Sequence, residues 1–147
     1  MRTYISIFLL LVAFNVAADE LKPFTSDGCS AFPDGTFEQS QLWLSCCTAH
    51  DLAYWQGGTS NERLVADEAL QQCVAKVGEP EIAQLMLAGV RVGGTPYLPT
   101  PFRWGYGWPY PRGYKALTIE EKQQVTKLKA SSPLLNKPLM REKETTN

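Results

Sequence analysis

The sequence predicts a small, mainly α-helical domain that is held together by disulfide bonds. Four cysteines follow an N-terminal segment typical of an export signal, and an even number of cysteines in an exported chain indicates disulfides. Helical patterns with recognisable start and stop signals cover much of the chain, and no segment has the alternation expected of a strand. A stretch dense in proline, glycine and aromatic residues, residues 97–114, is predicted to be irregular.

The first 18 residues are predicted to be a signal peptide. Arg2 precedes an apolar stretch over residues 5–14, and small side chains lie just before Asp19, where we expect cleavage. An uncleaved membrane anchor is less favoured, because the apolar run is short for crossing a bilayer. We expect residues 19–130 to form one domain, residues 131–147 to be a flexible tail, and the protein to be secreted or periplasmic.

Four helices are predicted, and each has a local signal at one of its ends. The predicted ranges are about residues 40–55, 60–77, 80–92 and 118–129. Two glycines end the first helix, and Pro80 suits the first turn of the third. Capping boxes, formed by Thr59 with Glu62 and by Thr118 with Glu121, begin the second and fourth helices.

The composition disfavours a strongly charged binding surface. Without Arg2, which is one of 14 basic residues, the mature chain has 13 Lys and Arg against 15 Asp and Glu, and its formal charge is about −2. The sequence has no basic stripe suited to nucleic acid, and this balance does not imply strong attraction to anionic lipid. We therefore expect no nucleic-acid partner, and we expect a monomer.

The run CCTAHDLAY, residues 46–54, carries most of the chemistry that the sequence offers. His50 is the only histidine in the chain, and an imidazole can accept a proton near neutral pH. Asp51 lies about 100° further round the helix, so the two side chains can serve one site, one handling a proton and the other a cation. Tyr54 follows one turn later on the face of His50 and is expected to support the site by hydrogen bonding, or to pack in the core.

Asp67 is predicted to be the partner of His50. It shares one face of the second helix with three apolar residues, Leu70, Val74 and Val77. A carboxylate buried on such a face without a partner is strongly unfavourable, and an imidazole is a natural partner. A carboxylate bonded to one ring nitrogen fixes the tautomer and stabilises the imidazolium that forms when the other nitrogen takes a proton.

The residues alone leave the cysteine pairing open. Cys46 and Cys47 are adjacent and poorly placed to bond each other, so we expect them to tie one helix to the two segments that hold Cys29 and Cys73. An alternative is a zinc site formed by these cysteines and His50. It is disfavoured, because paired zinc cysteines are normally spaced by two or more residues and exported thiols tend to oxidise.

The same run resembles the CCxxHDxCY signature of secreted phospholipase A2 enzymes, except that Ala53 stands where the better-known animal members have a cysteine. Residues 67–73, DEALQQC, keep the spacing of that family between a catalytic aspartate and a helix cysteine. Gly28 and Cys29 lie where the family has the cysteine of its calcium loop. The loop and the low cysteine count are similar to those of the smaller bacterial and fungal members.

This resemblance implies calcium-dependent hydrolysis of the sn-2 ester of glycerophospholipids, at a membrane or micelle surface. His50 is then the base that activates water, and Asp67 orients it. The implied calcium ligands are the side chain of Asp51, the side chain of Asp27 and the carbonyl of Gly28. The implied disulfides are Cys29–Cys47 and Cys46–Cys73.

Three questions remain open at the level of the sequence. Asp34 is either a turn former before Gly35, which is favoured, or a further calcium ligand. The aromatic residues of segment 97–114 either pack on the helices, which is slightly favoured, or contact lipid, with Arg103 and Arg112 meeting phosphate head groups. The alternative function is a catalytically silent module that binds membranes or a partner protein, which the intact set of His50 and the two aspartates disfavours.

Overall fold

The computed structural model describes residues 19–136, and the part of the chain that it describes contains four helices and no strand. The helices are α1 (Leu44–Gln56), α2 (Ser60–Lys76), α3 (Pro80–Gly93) and α4 (Ile119–Ser131). The prediction of a mainly α-helical domain with disulfides is therefore confirmed. Within this range, none of the helices combines the length and the apolar character that a membrane crossing requires.

Both predicted capping boxes form. At the start of α2, Thr59 Oγ1 accepts a hydrogen bond from the backbone N–H of Glu62, and the Glu62 carboxylate accepts one from the backbone N–H of Thr59. Thr118 and Glu121 form the same pair of bonds at the start of α4. Each box supplies partners for N–H groups that a helix leaves unpaired, which is why these two starts were predictable from four residues.

The first helix begins four residues later than predicted. Residues 40–43 form turns, in which the backbone N–H of Leu42 donates to the carbonyl of Gln39. Trp43 holds this entry in place, because its indole N–H donates to the carbonyl of Pro33 at 2.6 Å and its backbone N–H donates to the carbonyl of Asp34 at 3.1 Å. These bonds to a distant loop replace the first helical turn that the sequence pattern suggests.

Helix α2 packs against both α1 and α3, and this contact forms one part of the core. The buried residues of this part are Trp43, Cys46, Cys47, Leu70, Val74, Ala83 and Met86. Val77, predicted to lie on the same apolar face of α2, is exposed. The helix has ended at Lys76, and the positive φ of Gly78 then turns the chain away.

A second part of the core joins the N-terminal segment, α1, the aromatic segment and α4. Its buried residues are Leu21, Phe24, Trp55, Trp108 and Val125. The indole N–H of Trp55 donates to Lys22, that of Trp108 to Gln56, and that of Trp104 to Gly58, in each case to a backbone carbonyl. The tryptophans of the aromatic segment are therefore packing residues.

Arg103 and Arg112 do not meet phosphate head groups, because both are buried. Arg103 donates to the carbonyls of Gly105 and Trp108 at 2.6 and 2.7 Å. Arg112 stacks on the ring of Trp108, with 4.3 Å from Cζ to the ring centroid, and pairs with Glu121 at 3.0 Å. The irregular segment uses these cations to satisfy its own carbonyls and to attach itself to α4.

The predicted ends of the chain are only partly within the described residues. The signal peptide, residues 1–18, and residues 137–147 of the predicted tail lie outside them. Within the described part, α4 continues to Ser131, and Asn136 donates through its side chain to the carbonyl of Ala130 and through its backbone to Ser132.

Candidate active site

The centre of the site is a hydrogen bond between α1 and α2. His50 Nε2 lies 2.8 Å from Asp67 Oδ1, and both side chains are buried. The disulfide between Cys46 and Cys73 joins the same two helices, with Cys46 one turn before His50 and Cys73 six residues after Asp67. The cross-link restricts how α1 and α2 can slide, so it fixes the height of the carboxylate relative to the imidazole.

Three side chains donate to the carboxylate of Asp67, which is 0% exposed. Oδ1 accepts from His50 and also from the hydroxyl of Tyr54 at 2.8 Å, and Oδ2 accepts from Arg91 at 2.7 Å. Burial alone would raise the pKa of Asp67, but the hydrogen bonds from His50, Arg91 and Tyr54 together lower it. Asp67 is therefore an ionised carboxylate at neutral pH.

The charge on Asp67 determines the tautomer of His50. An ionised carboxylate can only accept hydrogen bonds, so Nε2 of His50 carries the proton that the 2.8 Å bond contains. In the neutral imidazole the other nitrogen, Nδ1, then has a free lone pair. The pair consequently presents one atom, Nδ1, that can take a proton, and the imidazolium formed in that way is stabilised by Asp67.

A second layer of residues holds Tyr54 and α3 in place. Arg63, one turn before Asp67 on α2, donates through Nε to the hydroxyl of Tyr54 at 3.0 Å. Its Nη2 donates to the carbonyls of Val90 and Arg91 at 2.8 Å each. Sequence reasoning missed Arg63 and Arg91. The i,i+4 spacing of Arg63 and Asp67 was an available signal for the first, and the sequence holds no local signal for the second.

The loop of residues 26–35, which we call the DGC loop, is attached to α1 by the disulfide between Cys29 and Cys47. With the bridge between the helices, this gives the cysteine pairing that the family resemblance implies. Gly28 and Ser30 both have a positive φ, 75° and 57°. A non-glycine residue in this region is uncommon, and loops shaped in this way occur at ligand sites more often than elsewhere.

Asp51 is buried beside this loop. Its Oδ2 accepts from the hydroxyl of Ser26 at 2.6 Å, and its carboxylate also accepts from the backbone of Asp27. Burial, together with the negative charges of Asp27 and Asp34, raises the pKa of Asp51 to about 7, although the hydrogen bonds from Ser26 and the backbone of Asp27 act to lower it. The ionised form of Asp51 thus lacks a cationic partner among the described residues and would be stabilised by one.

Asp27 and Asp34 both have roles within the loop. Asp27 Oδ1 accepts from the hydroxyl of Ser30 at 2.9 Å, and Asp34 Oδ1 accepts from the backbone N–H of Cys29 at 2.8 Å. The Asp34 carboxylate also contacts Gly28 so closely that no side chain would fit at that position. Asp34 therefore braces the loop, in agreement with its favoured interpretation as a turn former.

The donor set around Asp51 suits a hard cation. The groups available are carboxylate oxygens and loop carbonyls, which calcium prefers and which zinc and copper do not. All four cysteines are in disulfides, so none of them can provide a thiolate for zinc. Residues 19–136 hold no cluster of three or more His, Cys, Asp or Glu side chains arranged around one metal position. A calcium ion here would depend on carbonyl groups of the DGC loop.

A cavity of about 460 Å³ opens beside these groups. His50, Asp51 and Tyr54 line one wall, together with Gly28 of the DGC loop. The remaining wall is mostly apolar and includes Leu70, Leu85, Met86, Val90 and Phe102. The site therefore places a proton acceptor and a buried carboxylate at one end of an apolar space that is large enough for part of a lipid chain.

No family model, no curated protein and no solved structure matches this chain.

Proposed function

We propose that this protein is a calcium-dependent hydrolase of phospholipase A2 type, which cleaves the sn-2 ester of glycerophospholipids. The observation that carries the proposal is the 2.8 Å bond between the only histidine and a buried, ionised aspartate, at the wall of an apolar cavity. His50 lines this cavity and keeps one ring nitrogen free of Asp67, which is the arrangement that a general base needs.

The reaction divides among three side chains. Nδ1 of His50 takes a proton from a water molecule while the water oxygen attacks the ester carbonyl carbon. Asp67 stabilises the imidazolium, which then gives the proton to the alkoxide that leaves, so the products are a fatty acid and a lysophospholipid. Tyr54 holds the Asp67 carboxylate and is a supporting residue.

Calcium, when bound, polarises the ester carbonyl and stabilises the negative charge on its oxygen. The residues proposed to hold it are Asp51, Asp27 through its side chain and Gly28 through its carbonyl. The raised pKa of Asp51 supports this assignment, since a buried carboxylate that resists ionisation gains most from a neighbouring cation.

The surroundings of the cavity support a lipid substrate. Leu85 and Phe102 line the cavity and are also 58% and 37% exposed, so part of its apolar wall reaches the surface of the protein. Such groups are stabilised when they leave water for a lipid surface. Two disulfides fit an oxidising compartment, which supports a secreted or periplasmic location for the enzyme.

The deciding experiment measures release of fatty acid from mixed-chain phosphatidylcholine vesicles, with calcium or with a chelator. Wild-type protein is expected to release the sn-2 chain only with calcium, and His50→Gln is expected to lose at least 1,000-fold in rate, since the base is removed (~10³ or more). Vesicle binding without any product, under all calcium concentrations, would refute the enzyme and favour the silent binding module.

A second experiment tests the metal independently of turnover. Calorimetric titration of calcium into wild-type protein is expected to show one site, and Asp51→Asn is expected to abolish it. Asp19→Asn is a matched control, because it removes an exposed carboxylate outside the DGC loop. Equal calcium binding by the Asp51 variant and the wild type would overturn the assignment of Asp51.

A further inference from the structure

We propose that Arg91 is a positioning residue for the His50–Asp67 pair, acting on the oxygen of Asp67 that His50 does not use. This inference assigns a role within the proposed active site and so rests on the proposed function. His50 lies on α1 and Asp67 on α2, and the guanidinium of Arg91 binds Asp67 from a third helix, α3.

The two oxygens of Asp67 have different donors. His50 and Tyr54 both bind Oδ1, while Arg91 Nη1 donates to Oδ2 at 2.7 Å. Arg63 lies near the same oxygen, but its Nε is 3.7 Å away and donates to Tyr54 instead. Among the described residues, Arg91 is therefore the one whose side chain makes a hydrogen bond to Oδ2.

A carboxylate with donors on only one oxygen can rotate about its Cβ–Cγ bond. In Asp67 this rotation would turn Oδ1 away from His50 and loosen the hold on the imidazole. The bond from Arg91 fixes Oδ2, so the carboxylate cannot rotate freely and Oδ1 stays directed at His50. Because Asp67 is fully buried, solvent cannot easily supply a substitute donor to Oδ2.

The backbone that carries Arg91 is itself fixed. Arg63 donates to the carbonyls of Val90 and Arg91, which attaches the last turn of α3 to α2. Gly94 then packs so closely on Tyr54 that a side chain there would collide with the tyrosine ring. The guanidinium of Arg91 consequently reaches Asp67 from a rigid starting point, as a positioning group requires.

The exposure of Arg91 separates this role from a role in packing. Its side chain is 38% exposed, and a methionine keeps most of its apolar stem, so Arg91→Met removes little buried apolar contact. The loss is concentrated on one charged hydrogen bond to a buried oxygen. We therefore expect a variant that remains folded, with lower stability, and that binds calcium normally but turns over slowly.

The test compares Arg91→Met, which keeps the stem and removes the donor, with Arg91→Lys, which keeps a charged donor. Lys76→Met is the matched control, since it removes an exposed cation from the last turn of α2. With monomeric short-chain phosphatidylcholine, Arg91→Met is expected to lower kcat at least about 10-fold, the usual loss when a residue that orients a site is removed. KM, calcium affinity and the far-ultraviolet circular dichroism should change little, and Arg91→Lys should recover most of kcat.

A kcat for Arg91→Met within a factor of two of wild type would overturn the inference. A parallel fall in kcat, calcium affinity and folded content would also overturn it, because that pattern indicates a purely structural role. The lysine variant provides a further check: if it behaves like methionine while remaining folded, a charged donor at this position is not what matters.

A spectroscopic readout keeps this test separate from the proposed function. Because the chain has one histidine, the imidazole N–H bonded to Asp67 gives a single deshielded proton signal in nuclear magnetic resonance spectra. Arg91→Met is expected to broaden that signal or move it upfield, and Lys76→Met is expected to leave it unchanged. If the wild type hydrolyses nothing, the proposed function fails. In that case the imidazole N–H signal alone tests whether Arg91 positions the pair. An unaltered signal in Arg91→Met would refute that role.

Discussion

Replacing Asp51 with asparagine is expected to remove calcium binding and, at the same time, to stabilise the calcium-free protein above pH 7. The two effects have the same physical origin. Burial, with the nearby charges of Asp27 and Asp34, makes the ionised form of Asp51 unfavourable in the folded protein. An uncharged amide of nearly the same shape avoids this cost, but it cannot provide the anionic oxygen that a calcium ion prefers.

The magnitude follows from the pKa of Asp51, which is raised from 3.8 to about 7 in the folded protein. Between those values the folded protein binds a proton that the unfolded chain has released. The contribution of Asp51 to stability is therefore present in full below about pH 4 and is lost as the pH rises towards 7. A difference of about three pKa units corresponds to about 4 kcal/mol, and about 3 kcal/mol of this is lost between pH 5 and pH 8.

Urea denaturation in the presence of a chelator, followed by tryptophan fluorescence, measures this loss. The four tryptophans, Trp43, Trp55, Trp104 and Trp108, are all buried, so their emission should report unfolding of both parts of the core. From pH 5 to pH 8, the free energy of unfolding of the wild type should fall by about 3 kcal/mol more than that of Asp51→Asn. Equal pH dependence of the two proteins would show that Asp51 ionises freely and that the reasoning is wrong.

Calcium should reduce the difference in stability at pH 8, where Asp51→Asn is expected to be the more stable protein by about 4 kcal/mol without calcium. A ligand that binds only the folded state adds RT ln(1 + [L]/Kd), which is about 2.7 kcal/mol when calcium is at 100 times its Kd. Wild-type protein should gain this stability and Asp51→Asn should not. Calcium should also bind more tightly as the pH rises through 7, because the ion competes with the proton for the same carboxylate.

Three further substitutions test the scaffold around the site. Replacing Cys46 and Cys73 together with serine opens a link that spans 27 residues, which should cost about 3 kcal/mol of stability in guanidinium denaturation and lower the rate of hydrolysis. Gly94→Ala should push α3 away from Tyr54 and cost about 1–3 kcal/mol, and an unchanged melting temperature would contradict this close contact. Phe102→Asp should weaken sedimentation with vesicles while calcium affinity stays the same, and equal sedimentation would show that the cavity entrance does not contact lipid.

Local signals made much of the helical framework predictable. The capping boxes at Thr59 and Thr118 depend on residues three positions apart, so the sequence contains all that their geometry needs. The approach of His50 to Asp67 was also predictable, because a carboxylate on an apolar helix face requires a polar partner and the chain has only one histidine.

What the sequence could not supply came from contacts between distant segments. Arg91 reaches Asp67 from 24 positions away, and its place depends on the packing of α3 on α2. The late start of α1 depends on bonds from Trp43 to the DGC loop. Arg103 is buried because carbonyls of an irregular segment surround it, and no periodicity in the sequence describes the path of that segment.

The difference between the two central carboxylates is the strongest physical argument for assigning them different roles. Asp67 and Asp51 are both buried, yet the pKa of the first is lowered and that of the second is raised. Asp67 receives three donors, one of them the Arg91 cation, so its charge is stable within the protein alone. Asp51 receives hydrogen bonds from Ser26 and from the backbone of Asp27, but the carboxylates of Asp27 and Asp34 repel its charge. The ionised form of Asp51 therefore becomes stable only with an external cation. A permanently charged group suits the orientation of a base, and a conditionally charged group suits the binding of a metal ion.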